Sequence, residues 1–332
     1  MNKSTRQLYR DKKVLLLGGL GFIGTNLVQL LLQQGAQITI VDNFLSDHGA
    51  NWFHLEPIRE QVDFHLGDIR SAETMNELVK GQDIVFNIAA QTSHSDSMRE
   101  PFLDLDINAR GNLTVLEACR QHNPQARIVF VGTRAFYGTP AALPVTETAS
   151  LNPQDIYAVN RLAAEQYHWV YHQHYDLPVV SMRLGNLYGP CGQMKHPRYN
   201  VLNYFMRMAL EKRCIQIYGS GQQQRDYVYI TDACQALVLA GIDEQAIGQT
   251  YNVGAGVAYG FLELVEWIIA AAGSGSYQQV DWPAGSKVFD VGDFIMGIDK
   301  IQAELGWQPE TDIQSGIQQS LNYYRQYQQY YW

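Results

Sequence analysis

The chain has 332 residues, of which 46% are hydrophobic and 17% are charged, enough for a large core in one big domain or two closely joined ones. Its formal net charge of -9 disfavours nonspecific binding to nucleic acid or to an anionic membrane, because both attract basic surfaces. No stretch approaches the ~20 apolar residues that a membrane-spanning helix needs, and the polar start predicts no secretory signal.

The four cysteines show no C-x-x-C spacing, and the histidines are scattered along the chain. This pattern predicts reduced thiols in a cytoplasmic protein, and it predicts no metal site.

The first half of the chain alternates short apolar runs with amphipathic stretches. The apolar runs predict buried strands at 13–19, 37–42, 62–68, 83–90, 127–133 and 178–186. Helical patterns lie between them, notably at 22–35, 101–122 and 155–176. Continuous apolar strands alternating with helices are typical of a parallel sheet that is covered on both faces. The sequence therefore predicts an α/β protein with a Rossmann-type, doubly wound parallel sheet.

The pattern loosens after about Gly189, where a loop rich in Gly and Pro begins. Shorter elements follow, predicted as a helix at 201–212, strands at 215–219 and 227–230, and a helix at 231–242. These pieces predict a smaller mixed α/β lobe, closed by a polar, tyrosine-rich packing helix. We expect residues 1–190 to form a dinucleotide-binding domain with a return segment near 226–256, and residues 191–332 to form mainly the substrate lobe.

The segment "GGLGFIG" places Gly18, Gly21 and Gly24 in a G-x-x-G-x-x-G spacing between a strand and a helix. Glycines let the backbone approach a pyrophosphate, and the helix N-terminus offers N–H groups to the anion. Asp42 ends the second strand, where a carboxylate accepts hydrogen bonds from ribose hydroxyls and repels a 2′-phosphate. The spacing therefore predicts NAD rather than NADP. Asp68, after the third strand, is either an adenine contact or an acidic turn residue.

The segment "YAVNRLAAEQ" puts Tyr157 and Arg161 four residues apart, on one face of a predicted helix. Alone, such a pair favours an ordinary helix. A tyrosine ionises near pH 10, so it becomes a useful base only where a positive charge lowers its pKa.

Eleven segments taken together resemble the extended short-chain dehydrogenase/reductase family of NAD-dependent nucleotide-sugar epimerases and dehydratases. They run in the family's order as "GGLGFIG", "VDNF", "GDI", "NIAAQ", "SMREP", "DINARGN", "GTRAFYG", "YAVNRLAAEQ", "RLGNLYGP", "RDYVYITD" and "LGW". The resemblance covers nearly the whole chain and includes the 4-epimerases of UDP-glucose.

The resemblance implies the site residues. Tyr157, Arg161 and Thr133 take the catalytic positions, with Arg161 where the family normally has lysine. The implied cofactor contacts are Gly18, Gly21, Phe22, Ile23, Gly24, Asp42, Asn43, Asp68, Ile69, Ala89, Ala90, Gln91, Asn108, Tyr157 and Arg161. The implied substrate contacts are His94, Ser97, Thr133, Asn186, Asn200, Val201, Gln216, Tyr218 and Arg225.

The resemblance also implies a reaction that begins with oxidation of a sugar hydroxyl. The family's 4,6-dehydratases place Asp-Glu directly after the Thr, whereas this chain has Arg134 and Ala135 there. This difference favours 4-epimerisation of a UDP-hexose through a transient 4-keto sugar. Dehydration, decarboxylation of a UDP-hexuronate, reduction with external NAD(P)H, and NAD binding without turnover stay open. Asp96 or Glu100 is the alternative acid. The resemblance further implies a homodimer formed by helices 101–122 and 155–176.

Overall fold

The computed structural model describes residues 8–45, 48–282 and 292–332. The described residues contain twelve strands, β1–β12, at Lys13–Leu17, Gln37–Asp42, Val62–Leu66, Ile84–Asn87, Arg127–Thr133, Val179–Leu184, Asn186–Tyr188, Cys214–Tyr218, Gln224–Tyr229, Gln249–Val253, Ala258–Gly260 and Ser276–Val280. They contain twelve α-helices, α1–α12, at Phe22–Gln33, Trp52–Leu55, Ala72–Leu78, His94–Arg99, Pro101–Leu105, Gly111–His122, Ile156–Tyr175, Val201–Leu210, Ile230–Ile242, Phe261–Ala272, Asp299–Leu305 and Ile313–Tyr327.

Seven of the strands form one parallel sheet in the order β10-β6-β5-β4-β1-β2-β3. β1, β5 and β6 are buried along nearly their whole length, which explains their continuous apolar sequences. The predicted fold class is confirmed. The strand β10 comes from the C-terminal half of the chain and completes the sheet beside β6.

Helices cover both faces of this sheet. Leu27 and Leu31 of α1 share one core cluster with Leu237 of α9. On the other face, Leu116 of α6 and Tyr171 of α7 belong to a second cluster. Alternate residues of β1 serve the two clusters, as the two-residue period of a strand requires.

The predicted helix 101–122 is interrupted. Five residues, Asp106–Arg110, form a π-helical turn between α5 and α6. Such turns are rare, and many of them lie at functional sites. The insertion turns Asn108 into the protein interior, where it is fully buried.

A smaller lobe packs beside the sheet. Its two-stranded sheet pairs β8 with β12, and its three-stranded sheet has the order β11-β9-β7. Helices α8, α10 and α12 bury Met206, Ile268 and Leu321 in its core. The Tyr324 hydroxyl of α12 contacts the backbone of Gly189 and Gly192, so the last helix also fixes the loop that follows β7.

Candidate active site

Two adjoining cavities lie at the carboxyl ends of the sheet strands, where ligands bind in open α/β sheets. The first, of about 440 Å³, is lined by the ends of β1, β2, β4 and β5 and by the start of α7. The second, of about 710 Å³, lies in the smaller lobe among β8, β9 and α8. Five residues line both cavities, namely Arg134, Asn186, Pro197, Val201 and Tyr227.

The glycine-rich loop has the shape that a pyrophosphate needs. A Cβ added at Gly24 would lie 2.3 Å from the carbonyl oxygen of Gly18, so helix and loop approach too closely for any side chain. A Cβ added at Gly21 would meet only that same oxygen, at 3.6 Å, and would project into the cavity that Gly21 lines. The helix that starts at Phe22 has no side-chain cap, and its first residues Phe22, Ile23 and Gly24 line the cavity.

Two carboxylates stand behind this loop. Asp42 is buried and accepts hydrogen bonds from the backbone N–H groups of Leu20 and Phe44, each at 3.0 Å. Burial raises the pKa of Asp42, although those N–H groups act in the opposite direction. Both this carboxylate and Asp68 line the first cavity.

The turn after β3 is held by side-chain contacts. Burial opposes ionisation of Asp68, but hydrogen bonds from Arg70 at 2.7 and 2.9 Å and from Asn43 at 2.9 Å outweigh it and lower the pKa to about 2. Asp68 is thus both an acidic turn residue and part of the cavity wall, which combines the two readings of the sequence.

Tyr157 and Thr133 meet in the first cavity. Tyr157 lies in the first turn of α7, and Thr133 ends β5. The Thr133 hydroxyl oxygen accepts the N–H of Ala135 at 3.2 Å, and the hydroxyl hydrogen-bonds to Tyr157. Burial raises the pKa of Tyr157, and the charge of Arg161 and the Thr133 hydrogen bond act to lower it. Sequence reasoning anticipated only the lowering influence.

Arg161 is 2% exposed and is held by the ends of two sheet strands. Its guanidinium donates to the carbonyl of Ala89 at 3.4 Å and to the carbonyl of Val131. The guanidinium carbon lies 4.5 Å from the ring centroid of Phe130. Burial lowers the pKa of Arg161, while Tyr157 and Asp104 favour its charged form. An arginine keeps its charge under such conditions, so the residue supplies a fixed positive charge one helical turn from Tyr157.

A second polar pair borders Tyr157. Nδ1 of His94 lies 2.5 Å from a carboxylate oxygen of Asp155, which also caps the N-terminus of α7. The rings of His94 and Tyr157 pack edge to face, with centroids 4.9 Å apart. Burial opposes ionisation of Asp155, but its contacts with His94 outweigh it and lower the pKa of the carboxylate.

The predicted substrate residues are spread over both cavities. Asn186, Asn200 and Val201 line the first, and Gln216, Tyr218 and Arg225 line the second. The amide of Asn186 bridges two elements, because it donates to the carbonyl of Asp226 at 2.9 Å and accepts Nε of Arg134 at 2.8 Å.

Three predicted site residues line neither cavity, and their contacts with ligands stay predictions. Ser97 is fully buried and donates to the carbonyl of His94 at 2.7 Å. Asn108 binds the backbone N–H and carbonyl of Gln91 at 3.2 and 2.8 Å. The side chain of Gln91 donates to the buried carboxylate of Asp104 at 2.7 Å. These polar groups hold the wall of the cavity from behind.

Sequence reasoning missed Arg134 and Tyr227 as members of the site wall, and it missed Asp155 as the partner of His94 behind that wall. Asp155 has a local signal, since an Asp three residues before a helical N–H is a typical cap. Its partner His94 is 61 residues away along the chain, so no local pattern predicts the pair.

The site combines a glycine-rich turn before a helix N-terminus, a buried carboxylate in the cavity wall and a tyrosine near a fixed cation, which are features typical of a dinucleotide-dependent enzyme. The model of the NAD dependent epimerase/dehydratase family matches residues 14–254. The chain belongs to this family, and NAD is its cofactor.

Relatives carry two kinds of name. The chain is 30% identical to a UDP-glucose 4-epimerase of Mycolicibacterium smegmatis, over 94% of this chain and 98% of that protein. It is 28% identical to a dTDP-glucose 4,6-dehydratase of Streptomyces niveus, over 94% and 93%. Among solved structures, a UDP-glucose 4-epimerase of Thermus thermophilus in complex with NAD is 31% identical, with a TM-score of 0.83 over 94% of this chain and 99% of that one.

The described part of the chain contains neither a helix suited to a membrane nor a candidate metal cluster. No helix in it combines the length and the apolar character needed to cross a bilayer. No group of three or more His, Cys, Asp or Glu side chains in it is arranged to hold a metal ion.

Proposed function

We propose that this protein is an NAD-dependent nucleotide-sugar epimerase that inverts C4 of a UDP-hexose through a transient 4-keto sugar. The observation that carries the proposal is the hydrogen-bonded pair of Tyr157 and Thr133 in a cavity wall that continues with Arg134 and Ala135. The pair can move a proton at a sugar hydroxyl, and neither following residue is a carboxylate that could drive elimination.

NAD would be held by the glycine-rich loop and Asp42, and it would supply the chemistry of hydride transfer at C4 of the sugar. Tyr157 accepts the proton of the C4 hydroxyl, and Arg161 stabilises the resulting phenolate by its charge. Thr133 donates its hydroxyl hydrogen toward Tyr157 and so keeps the ring oxygen aligned. When the keto sugar has turned over and is reduced on its other face, Tyr157 returns the proton to the C4 oxygen.

The two alternative acids named from the sequence are engaged elsewhere. Asp96 binds Arg198 at 2.7 and 2.8 Å and does not line either cavity. Burial opposes its ionisation, but hydrogen bonds from Ser93 and Arg198 lower its pKa, so it is a poor general acid. Glu100 is exposed, 3.9 Å from Arg99.

Dehydration or decarboxylation on the same scaffold is the second candidate. The pair of His94 and Asp155 beside Tyr157 favours it, because a histidine oriented by a carboxylate is a common acid/base pair. Relatives named as dehydratases agree with this alternative. Binding of NAD without turnover is the third candidate.

Mass spectrometry and proton NMR of the purified protein with UDP-, dTDP-, GDP- and CDP-sugars distinguish these functions. Epimerisation gives a new sugar nucleotide of unchanged mass with C4 inverted. Loss of water or of carbon dioxide would place the activity in the second candidate class. Retained NAD with no change in any sugar nucleotide would contradict both enzymatic candidates.

For the domain organisation, we propose that residues 1–190, with the return segment 226–256, bind NAD. Residues 191–332 form mainly the lobe that binds the nucleotide sugar. Strand β10 within the return segment supports this division, because it pairs with β6. Residues 1–7, 46–47 and 283–291 of these ranges lie outside the described residues. Arg225 is the proposed diphosphate contact, with Gln216 and Tyr218 toward the base.

We also propose a homodimer in the cytoplasm. Helices α4, α5 and α7 carry large apolar side chains on the surface, and Phe102 is 81% exposed. Met98 and Val159 are also exposed, and exposed apolar side chains on these helices support a protein interface there. The four cysteines are free thiols, as expected in a reducing compartment.

A further inference from the structure

Arg134 stands at the boundary between the two cavities. It directly follows Thr133 and lines both spaces. Its charge acts on Asp155, and it is within electrostatic range of the Tyr157 hydroxyl. A group bound by Arg134 would therefore lie close to the sugar carbon that reacts.

The guanidinium of Arg134 is held in place with most of its donors unused. Nε donates to Asn186, and the guanidinium carbon lies 5.0 Å from the ring centroid of Phe294. Within the described ranges, which omit 283–291, no acceptor is present for the terminal N–H groups. The buried Arg161 differs in this respect, because both of its terminal nitrogens donate to backbone carbonyls, those of Ala89 and Val131.

The carboxylate whose charge acts most directly on Arg134 is already occupied. This carboxylate belongs to Asp226. It is 1% exposed and accepts the backbone N–H groups of Ala255, Gly256 and Met296 at 2.7–3.0 Å. Burial and the charge of Arg225 lower the pKa of Arg134 to about 10, so the guanidinium stays positive at neutral pH.

We infer that Arg134 binds a carboxylate carried by the sugar, so that the substrate is a nucleotide-linked hexuronate rather than a neutral hexose. This inference rests on the proposed function and narrows its substrate class. The edge formed by the two terminal nitrogens of this planar guanidinium matches a carboxylate in a bidentate geometry. Because Arg134 adjoins Thr133, its anion sits beside the reacting centre, whereas Arg225 faces Gln216 and Tyr218 in the second cavity.

The test measures binding by calorimetry, with the NAD-loaded protein and three probes: UDP, UDP-glucose and UDP-glucuronate. Wild type is expected to bind UDP-glucuronate on the order of tenfold or more tighter than UDP-glucose, as a charge-assisted bidentate contact allows. In Arg134→Gln this preference falls to about one, while UDP affinity changes little. Arg134→Lys keeps the positive charge but lacks the planar guanidinium, so it is expected to restore only part of the preference for UDP-glucuronate. Arg59→Gln, an exposed arginine outside both cavities, is the charge-matched control.

Three results would overturn the inference. Equal losses for UDP, UDP-glucose and UDP-glucuronate in both Arg134 variants would assign the residue to the diphosphate. Unchanged affinities would remove it from the ligand altogether. A wild type with no preference for UDP-glucuronate would contradict the substrate class, even if the variants failed to fold.

Binding and turnover separate this inference from the proposed function. If the protein prefers UDP-glucuronate but inverts no sugar, the inferred carboxylate site is supported and the proposed epimerase activity is contradicted. If it inverts UDP-glucose and shows no preference for UDP-glucuronate, the epimerase activity is supported and the carboxylate site is contradicted.

Discussion

In the part of the first cavity around Gly18, Asp42 and Asp68, which we call the cofactor half, backbone groups and short-range contacts form the wall. In the part around Thr133, Arg134 and Tyr157, which we call the sugar half, long side chains from distant segments converge. The carboxylate of Asp42 is held by N–H groups at most 22 residues away, whereas His94 meets Asp155 across 61 residues. A few glycines can thus maintain the shape of the cofactor half, while single substitutions can change the chemistry of the sugar half.

The largest effect is expected in the sugar half from Tyr157→Phe. Removing the hydroxyl removes the proton acceptor, so kcat should fall by about 10²–10⁴-fold while NAD affinity stays close to that of wild type. Steady-state kinetics and cofactor titration measure the two quantities. Tyr175→Phe, at the exposed end of the same helix, is the matched control. A full kcat in Tyr157→Phe would remove Tyr157 from the chemistry.

The next effect is expected in the cofactor half from Gly24→Ala. The new Cβ would lie 2.3 Å from the Gly18 carbonyl oxygen, so the loop must shift. Overpacking of this kind costs about 1–3 kcal/mol, and we expect NAD affinity to fall by about tenfold or more. Gly260→Ala is the control, because a Cβ there meets no atom within 4 Å. Unchanged NAD binding in Gly24→Ala would contradict a cofactor site at this loop.

Arg161 joins the two halves, and its charge is expected to act on the pH dependence of the reaction. Arg161 lowers the pKa of Tyr157 against the effect of burial. In Arg161→Met that help is lost, so the rising limb of kcat against pH should move upward by about one to three pH units. Arg161→Lys keeps a charge and should leave the limb near its wild-type position. Equal profiles for wild type and Arg161→Met would show that the charge does not act on Tyr157.

The smallest effect is expected from Asp68→Asn, measured as the free energy of unfolding. The pKa of Asp68 is lowered to about 2 from an ordinary 3.8, so its contribution is present above about pH 4 and is lost as the pH falls toward 2. Over this pH range, the free energy of unfolding of wild type should therefore fall by about 1 kcal/mol more than that of Asp68→Asn. This value allows for the partial exposure of Asp68. Denaturant titrations at several pH values measure this difference. Asp11→Asn is the control, because the side chain of Asp11 is 85% exposed. If Asp68→Asn and wild type showed the same pH dependence, Asp68 would not stabilise the turn after β3.

Local patterns predicted most of the fold and much of the cofactor half. The strands β1 and β2 and the helix between them begin within a residue of their predicted positions, because apolar periodicity and glycines determine them locally. The π-helical turn at Asp106–Arg110 was not predictable, since it inserts one residue into an otherwise regular helical pattern. Its consequence, the inward side chain of Asn108 bound to the backbone of Gln91, was therefore not predicted, and the assignment of Asn108 to the cofactor stays a prediction.

The sequence predicted which residues form the sugar half, but it did not predict how their side chains are arranged. Tyr157 and Thr133 were named from motifs, yet the balance of burial and charge on Tyr157 depends on tertiary contacts. Arg134 was noted in the sequence only as the absence of a carboxylate. Its open donors become visible once Asn186 and Phe294 are placed around it.

The most direct test of the central claim follows the C4 hydrogen through the reaction. UDP-glucose and UDP-glucuronate, each deuterated at C4, are incubated with the NAD-loaded protein and followed by proton NMR and mass spectrometry. We predict a C4-inverted product of unchanged mass that retains its deuterium, because the hydrogen leaves and returns to the same carbon within one closed site. A product that has lost water or carbon dioxide, or an epimer whose deuterium has exchanged, would contradict 4-epimerisation at Tyr157.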